Sequence, residues 1–125
     1  MFFKRSLCIL AIACSQLNAS VSEINNLNQF NEKIKTGVSV VKFYMDNCSP
    51  CRASGPMFNE ISQIQKYNAV NFITVNFNRG KTIAMKYARA FPTFAFFKDG
   101  QIVGSKIVGY DGSTRNAITS RIDSL

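Results

Sequence analysis

Apolar and polar positions along this chain fall into blocks whose period switches between helix-like and strand-like. Ile24, Leu27, Phe30 and Ile34 recur at three- and four-residue intervals after Ser22, a residue type that caps helices, with Asn25 and Asn26 in the following turn. Gly37 closes that segment, so the spacing predicts a first helix. Val38–Tyr44 is β-branched and aromatic and apolar on both faces apart from Lys42, the pattern of a buried central strand. Over residues 51–67, Ala53, Met57, Ile61 and Ile64 share one face of a helix that Pro56 should kink, because proline removes a backbone donor and crowds the preceding turn. Residues 72–77 read as a second strand, 82–88 as a short helix and 93–97 as a third strand. Lys98-Asp99-Gly100-Gln101 carries the Asp-Gly signal of a tight hairpin into residues 102–108. Asp111 and Thr114 offer caps for a last helix whose Ile118, Ile122 and Leu125 should face the core.

This order of elements predicts an α/β domain over residues 20–125, a mixed sheet covered by helices on both faces. The first two strands are joined through a helix, which favours a right-handed crossover and parallel pairing. The partner of the third strand is not readable from pattern. At 125 residues the chain fits one domain with a real core.

The first nineteen residues read differently. Lys4 and Arg5 precede a compact apolar run over residues 6–14, and Ala19 stands at a small-residue cleavage position, so residues 1–19 are expected to be an export signal. The apolar run is about half of the ~20 residues a membrane-spanning helix needs, which weighs against an anchor. A second form of signal stays open: Leu10-Ala11-Ile12-Ala13-Cys14 resembles a bacterial lipoprotein box, loosely because Ala11 stands where the stronger form has Leu. Cys14 would then carry a lipid. The expected location is outside the cytoplasm, periplasmic or secreted, with membrane attachment only through an uncleaved signal or a lipidated Cys14.

Charge narrows the partners little. The chain is formally +8, and it remains basic if Lys4 and Arg5 are removed. Basic residues between Lys33 and Arg121 are scattered singly, with no cluster and no recognisable nucleic-acid motif, so they read as a solvated surface and no nucleic-acid partner is expected.

Of four cysteines, Cys8 and Cys14 would leave with the signal, and Cys48-Ser49-Pro50-Cys51 would remain, set between a predicted strand and a predicted helix. Two thiols three positions apart can close a small disulfide ring, and a thiolate is favoured where unpaired backbone N–H groups and a helix's positive end converge. The same spacing serves as half a zinc site, yet the chain has no histidine and would have to borrow ligands from a second copy, so no metal is expected. A purely structural disulfide would close a loop too short to constrain much of the unfolded chain. A catalytic or sensing pair is the better reading.

Taken together, Val40-Val41-Lys42-Phe43-Tyr44, Cys48-Ser49-Pro50-Cys51-Arg52, Pro56, Phe91-Pro92-Thr93, Phe97-Lys98-Asp99-Gly100 and Val108-Gly109 resemble the thioredoxin family in order and spacing, over roughly residues 24–125. The resemblance implies a three-layer sandwich around a central mixed sheet. It also implies a protein-disulfide oxidoreductase in which Cys48 is the exposed nucleophile and Cys51 the buried resolving thiol. Pro92 matches the family's cis proline, where the backbone of Phe91 and the neighbouring Thr93 and Gly109 would receive an extended substrate strand. Ser49 and Pro50 contain no histidine between the cysteines, which points to the reductase end. Implied partners are proteins with disulfides or thiols and an unidentified electron donor. No cofactor beyond the Cys48–Cys51 disulfide is expected, and the protein is expected to be a monomer.

The departures are specific. Lys42 stands where the family usually buries an Asp that helps deprotonate the resolving cysteine, and Thr74 where that Asp's lysine partner usually lies. Asn47 and Tyr44 replace rim tryptophans. Lys42 and Arg52 are candidates for tuning the thiols if their charges reach the site. For Lys42 the favoured expectation is outward snorkelling, because a buried lysine without a partner is costly. Two alternatives accompany the enzyme reading: a noncatalytic groove-binding module, and an exported reductase specialised for one client or for haem-attachment cysteines.

Overall fold

The computed structural model describes residues 20–125. The expected signal, with Cys8, Cys14 and Ala19, lies outside the described residues. Five strands run side by side in the order β1-β3-β2-β4-β5, where β1 is Val21–Glu23, β2 Val38–Tyr44, β3 Asn71–Asn76, β4 Thr93–Lys98 and β5 Gln101–Ile102. A further short strand, β6 (Ile107–Val108), also pairs with β4. The helices are α1 (Leu27–Ile34), α2 (Ser49–Ala53), α3 (Gly55–Ser62), α4 (Lys81–Tyr87) and α5 (Thr114–Asp123), with a 3-10 turn at Gln65–Tyr67.

β2 and β3 are parallel, as a crossover through helices requires, and β4 runs antiparallel to β2. The sheet is therefore mixed. Alternation along β2 and β4 splits the core into two layers. Val41, Phe43, Ala95 and Phe97 meet Phe30 and Ile34 of α1 and Ile83 of α4, while Val40, Phe94 and Phe96 meet Phe58 and Ile61 of α3 and Ile118 of α5. Lys42 belongs by parity to the second face, beneath the α2–α3 segment.

Local chemistry explains where elements begin. Residues expected to start the first helix instead form edge strand β1, and Asn26 is the cap, accepting from the Gln29 N–H at 3.0 Å. Ser22 is thus a strand residue and Leu27 is exposed. Pro56 sits in the first turn of α3, where its missing N–H costs nothing, and the expected kink becomes a break at Ser54 between α2 and α3. That break turns Ala53 to solvent rather than onto the shared face with Met57 and Ile61. The Asp99-Gly100 hairpin forms as expected, both residues at positive φ (+49° and +85°) in the manner of a type I′ turn. Residues 102–108 are two short strands rather than one, both pairing with β4.

Candidate redox site

The loop leaving β2 delivers Cys48 to the N-cap of α2, where its Sγ accepts from the Cys51 N–H at 3.2 Å. A sulfur that receives a backbone N–H in its oxidised state is in place to be stabilised as a thiolate once reduced. Cys48 and Cys51 are joined as a disulfide with Cα atoms 5.2 Å apart. The two sulfurs differ in access: Cys48 is half-buried, whereas Cys51 is 3% exposed. Ser49, Pro50 and Arg52 are exposed on the same short helix.

The Phe91–Pro92 bond is cis, as expected from the sequence. The Phe91 carbonyl oxygen lies 3.8 Å from Cys48 Sγ. Gly109 donates its N–H to the Pro92 carbonyl at 2.8 Å and holds φ at +85°, a conformation that glycine adopts without penalty. Thr93 is buried, its hydroxyl donating to the Ala90 carbonyl at 2.6 Å, and it pairs in register with Val108. Cys48, Phe91, Pro92, Thr93 and Gly109 therefore form one neighbourhood.

Lys42 corrects the outward expectation. The residue is 5% exposed and its Nζ donates to the Cys51 carbonyl at 2.9 Å, so the amine lies inside, under the redox helix. The acceptor that makes this tolerable is a main-chain oxygen, which sequence reasoning had no means to place. Burial lowers the ammonium from its ordinary 10.5 to about 8. The same carbonyl accepts from the Ser54 hydroxyl at 2.9 Å.

A cleft of about 550 Å³ opens beside this contact, lined by Lys42, Cys51, Arg52, Glu23, Tyr44 and Thr74 among others. Arg52 is thus brought to the cleft wall, away from any direct bond to sulfur in the described contacts. Glu23, Thr74 and Lys42 lie in one row across β1, β3 and β2. The Glu23 carboxylate is taken by Tyr44 Oη, by Asn25 Nδ2 at 3.0 Å and by Arg79 at 3.3 Å. Burial alone would raise the Glu23 carboxyl, but those hydrogen bonds outweigh it and hold the group below the usual carboxylate range. Partial burial and then the Glu23 carboxylate push the Tyr44 phenol up.

Sequence reasoning missed this Glu23–Tyr44–Arg79 network, whose members are up to 56 positions apart. It also missed the brace behind the loop before Cys48, where Asn76 Nδ2 donates to Asp46 Oδ1 and the Asp46 N–H donates to Asn78 Oδ1, each at 3.0 Å. Asn76 ends β3 and Asn78 and Arg79 follow in the loop, and this clustering of asparagines at a strand end is the only available signal.

Comparison with known proteins agrees with this geometry. The family model Thioredoxin matches residues 20–124. The chain is similar to a thioredoxin of Malassezia sympodialis, 37% identical over 101 residues that cover 78% of this chain and 93% of that protein. It is similar to Thioredoxin Asp f 28 of Aspergillus fumigatus at 34% identity, covering 74% of this chain and 84% of the relative. The crystal structure of oxidised mitochondrial thioredoxin 3 from Saccharomyces cerevisiae superposes with a TM-score of 0.73 at 32% identity, covering 84% of this chain and 95% of that one. With a closed CxxC disulfide, matching topology and full-domain similarity in hand, the chain belongs to the thioredoxin family and is a reductase-type protein thiol-disulfide oxidoreductase built on the Cys48–Cys51 pair.

Proposed function

We propose that Cys48 is the attacking thiol, Cys51 the resolving thiol, and the Phe91–Pro92–Thr93 segment with Gly109 the seat of the substrate strand. The observation that carries this assignment is the unequal access of the two sulfurs: a substrate disulfide can approach half-buried Cys48, while Cys51 is enclosed. The Cys48 thiolate attacks one sulfur of a substrate disulfide, forming a mixed disulfide and expelling the other substrate sulfur as a thiolate. The Cys51 thiolate then attacks Cys48 Sγ, closes the intramolecular disulfide and releases the second substrate thiolate, so two electrons pass to the substrate.

The substrate class follows from access and backbone presentation: protein disulfides on segments extended enough to lie along Phe91 and Gly109. Ser49 and Pro50 leave the helix start free of a second titrating group. Working beyond the cytoplasm, where disulfides persist, a reductase of this kind requires a donor that keeps Cys48 and Cys51 reduced. The monomer, exported through residues 1–19, is the working unit in this reading.

Trapping tests the assignment. Cys51→Ser should accumulate a mixed disulfide with an oxidised protein substrate that dithiothreitol releases, and Cys48→Ser should trap none; the reverse pattern would overturn the roles. A mass measurement on fractionated protein from the producing cell tests export: a start at Ser20 or a lipidated Cys14 supports it, and an intact Met1 start in the cytosolic fraction counts against it.

A further inference from the structure

Lys42 is a buried amine that the exchange steps above do not use. It projects from the central strand to the Cys51 carbonyl, and both residues line the same cleft, which is large enough to admit water. Among the described residues no carboxylate lies within ion-pair distance of its Nζ. The other titratable groups facing the cleft are Glu23 of β1, Tyr44 at the end of β2, Asp46 of the loop after it and Arg52 of α2, with uncharged Thr74 of β3 also lining it. Glu23 is committed to Tyr44 and Arg79, and Asp46 to Asn76 and Arg79. Neither acid is free to serve Cys51.

We infer that Lys42 is the general base for Cys51: its neutral amine takes the Cys51 thiol proton, directly or through water of the cleft, when the mixed disulfide is resolved. This rests on Cys51 being the resolving thiol. In the step, Cys51–SH and Lys42–NH2 become Cys51–S⁻ and Lys42–NH3⁺; the thiolate attacks Cys48 Sγ, the Cys48–substrate S–S bond breaks, and the leaving substrate thiolate departs to be protonated by solvent. The lysine proton returns to solvent through the cleft. Burial supports the role, since it brings the amine's titration to about 8, where a neutral fraction exists near neutral pH. The Cys51–Lys42 couple then titrates as a pair rather than as two independent groups.

The test is a stopped-flow measurement of resolution, starting from Cys48 preloaded as a mixed disulfide with a chromogenic aromatic thiol, across pH 6–10. The wild-type rate should rise and level off near pH 8. Lys42→Met should be slower by about tenfold or more at pH 7 and keep rising beyond pH 9. Lys42→Arg keeps a cation but cannot give up its proton, so it should follow Lys42→Met. An unchanged profile in Lys42→Met, or a wild-type profile in Lys42→Arg, would overturn the inference. Should neither variant fold, NMR titration of the reduced wild-type protein decides: Lys42 Cε and Cys51 Cβ should share inflections, and a single Lys42 step above pH 10 would overturn it. Failure of Cys51→Ser to trap a substrate would instead overturn the assignment of Cys51, so the two failures are separable.

Discussion

Lys42, a residue only 5% exposed, donates from its Nζ to the main-chain carbonyl of Cys51 at 2.9 Å, tying the redox helix to the central strand through a buried cation. Strand parity puts Lys42 under α2 and α3, and the break at Ser54 leaves the Cys51 carbonyl facing it, with Ser54 as a second donor. The fold thus places an ionisable group where packing alone would favour an apolar one.

That placement makes stability depend on pH. The folded amine titrates near 8 and the unfolded one near 10.5, so between those values the unfolded chain binds more protons and stability rises with pH. Below pH 8 the full penalty applies, on the order of 3 kcal/mol at about 1.4 kcal/mol per pH unit. Lys42→Met in the oxidised protein should therefore gain on the order of 2 kcal/mol at pH 7 after loss of the hydrogen bond. The gain should shrink as pH climbs from 8 to 10.5. Urea unfolding at several pH values checks this, and a pH-independent difference would count against it.

Gly80 packs where no side chain fits. A Cβ there would lie 2.9 Å from Asn25 Oδ1 and 3.1 Å from both Asn25 Cα and Val75 Cγ1. Asn25 is held in turn, because its Oδ1 accepts from the Asn76 N–H at 2.9 Å. Gly80→Ala should cost about 1–3 kcal/mol in denaturant unfolding. Wild-type stability in this variant would show that the close approach of β3 and α4 is softer than the packing indicates.

Tyr67 links the 3-10 turn to α5 through a 2.7 Å hydrogen bond from its hydroxyl to Asp123 Oδ1. Burial, followed by the Asp123 carboxylate, pushes its phenol up to about 12. The unfolded phenol ionises near 10, so stability should fall as pH rises from 10 to 12. Tyr67→Phe should cost about 1 kcal/mol at pH 7 and remove the step near pH 12 from a spectrophotometric tyrosine titration.

Much of the fold was legible because its signals are local. Val38–Tyr44 and the aromatic run of β4 could only be buried strands, and Asp99-Gly100 could turn only one way. The redox pair and Pro92 were legible as a motif. β1 was not, since three residues carry no periodicity and Ser22 imitates a cap that Asn26 supplies. The direction of Lys42 was not legible either. Burial cost argues for solvent until an acceptor is known, and the Cys51 carbonyl is placed only when α2 docks on β2. The Glu23–Tyr44–Arg79 network joins three separate elements and has no local trace.

The central claim is that Cys48 and Cys51 form a catalytic dithiol, and insulin-disulfide reduction driven by dithiothreitol tests it most directly. The protein should raise the rate of insulin precipitation several-fold or more over dithiothreitol alone, and Cys48→Ser should return it to that background. Activity at background in the wild type, or activity unchanged in Cys48→Ser, would contradict the account.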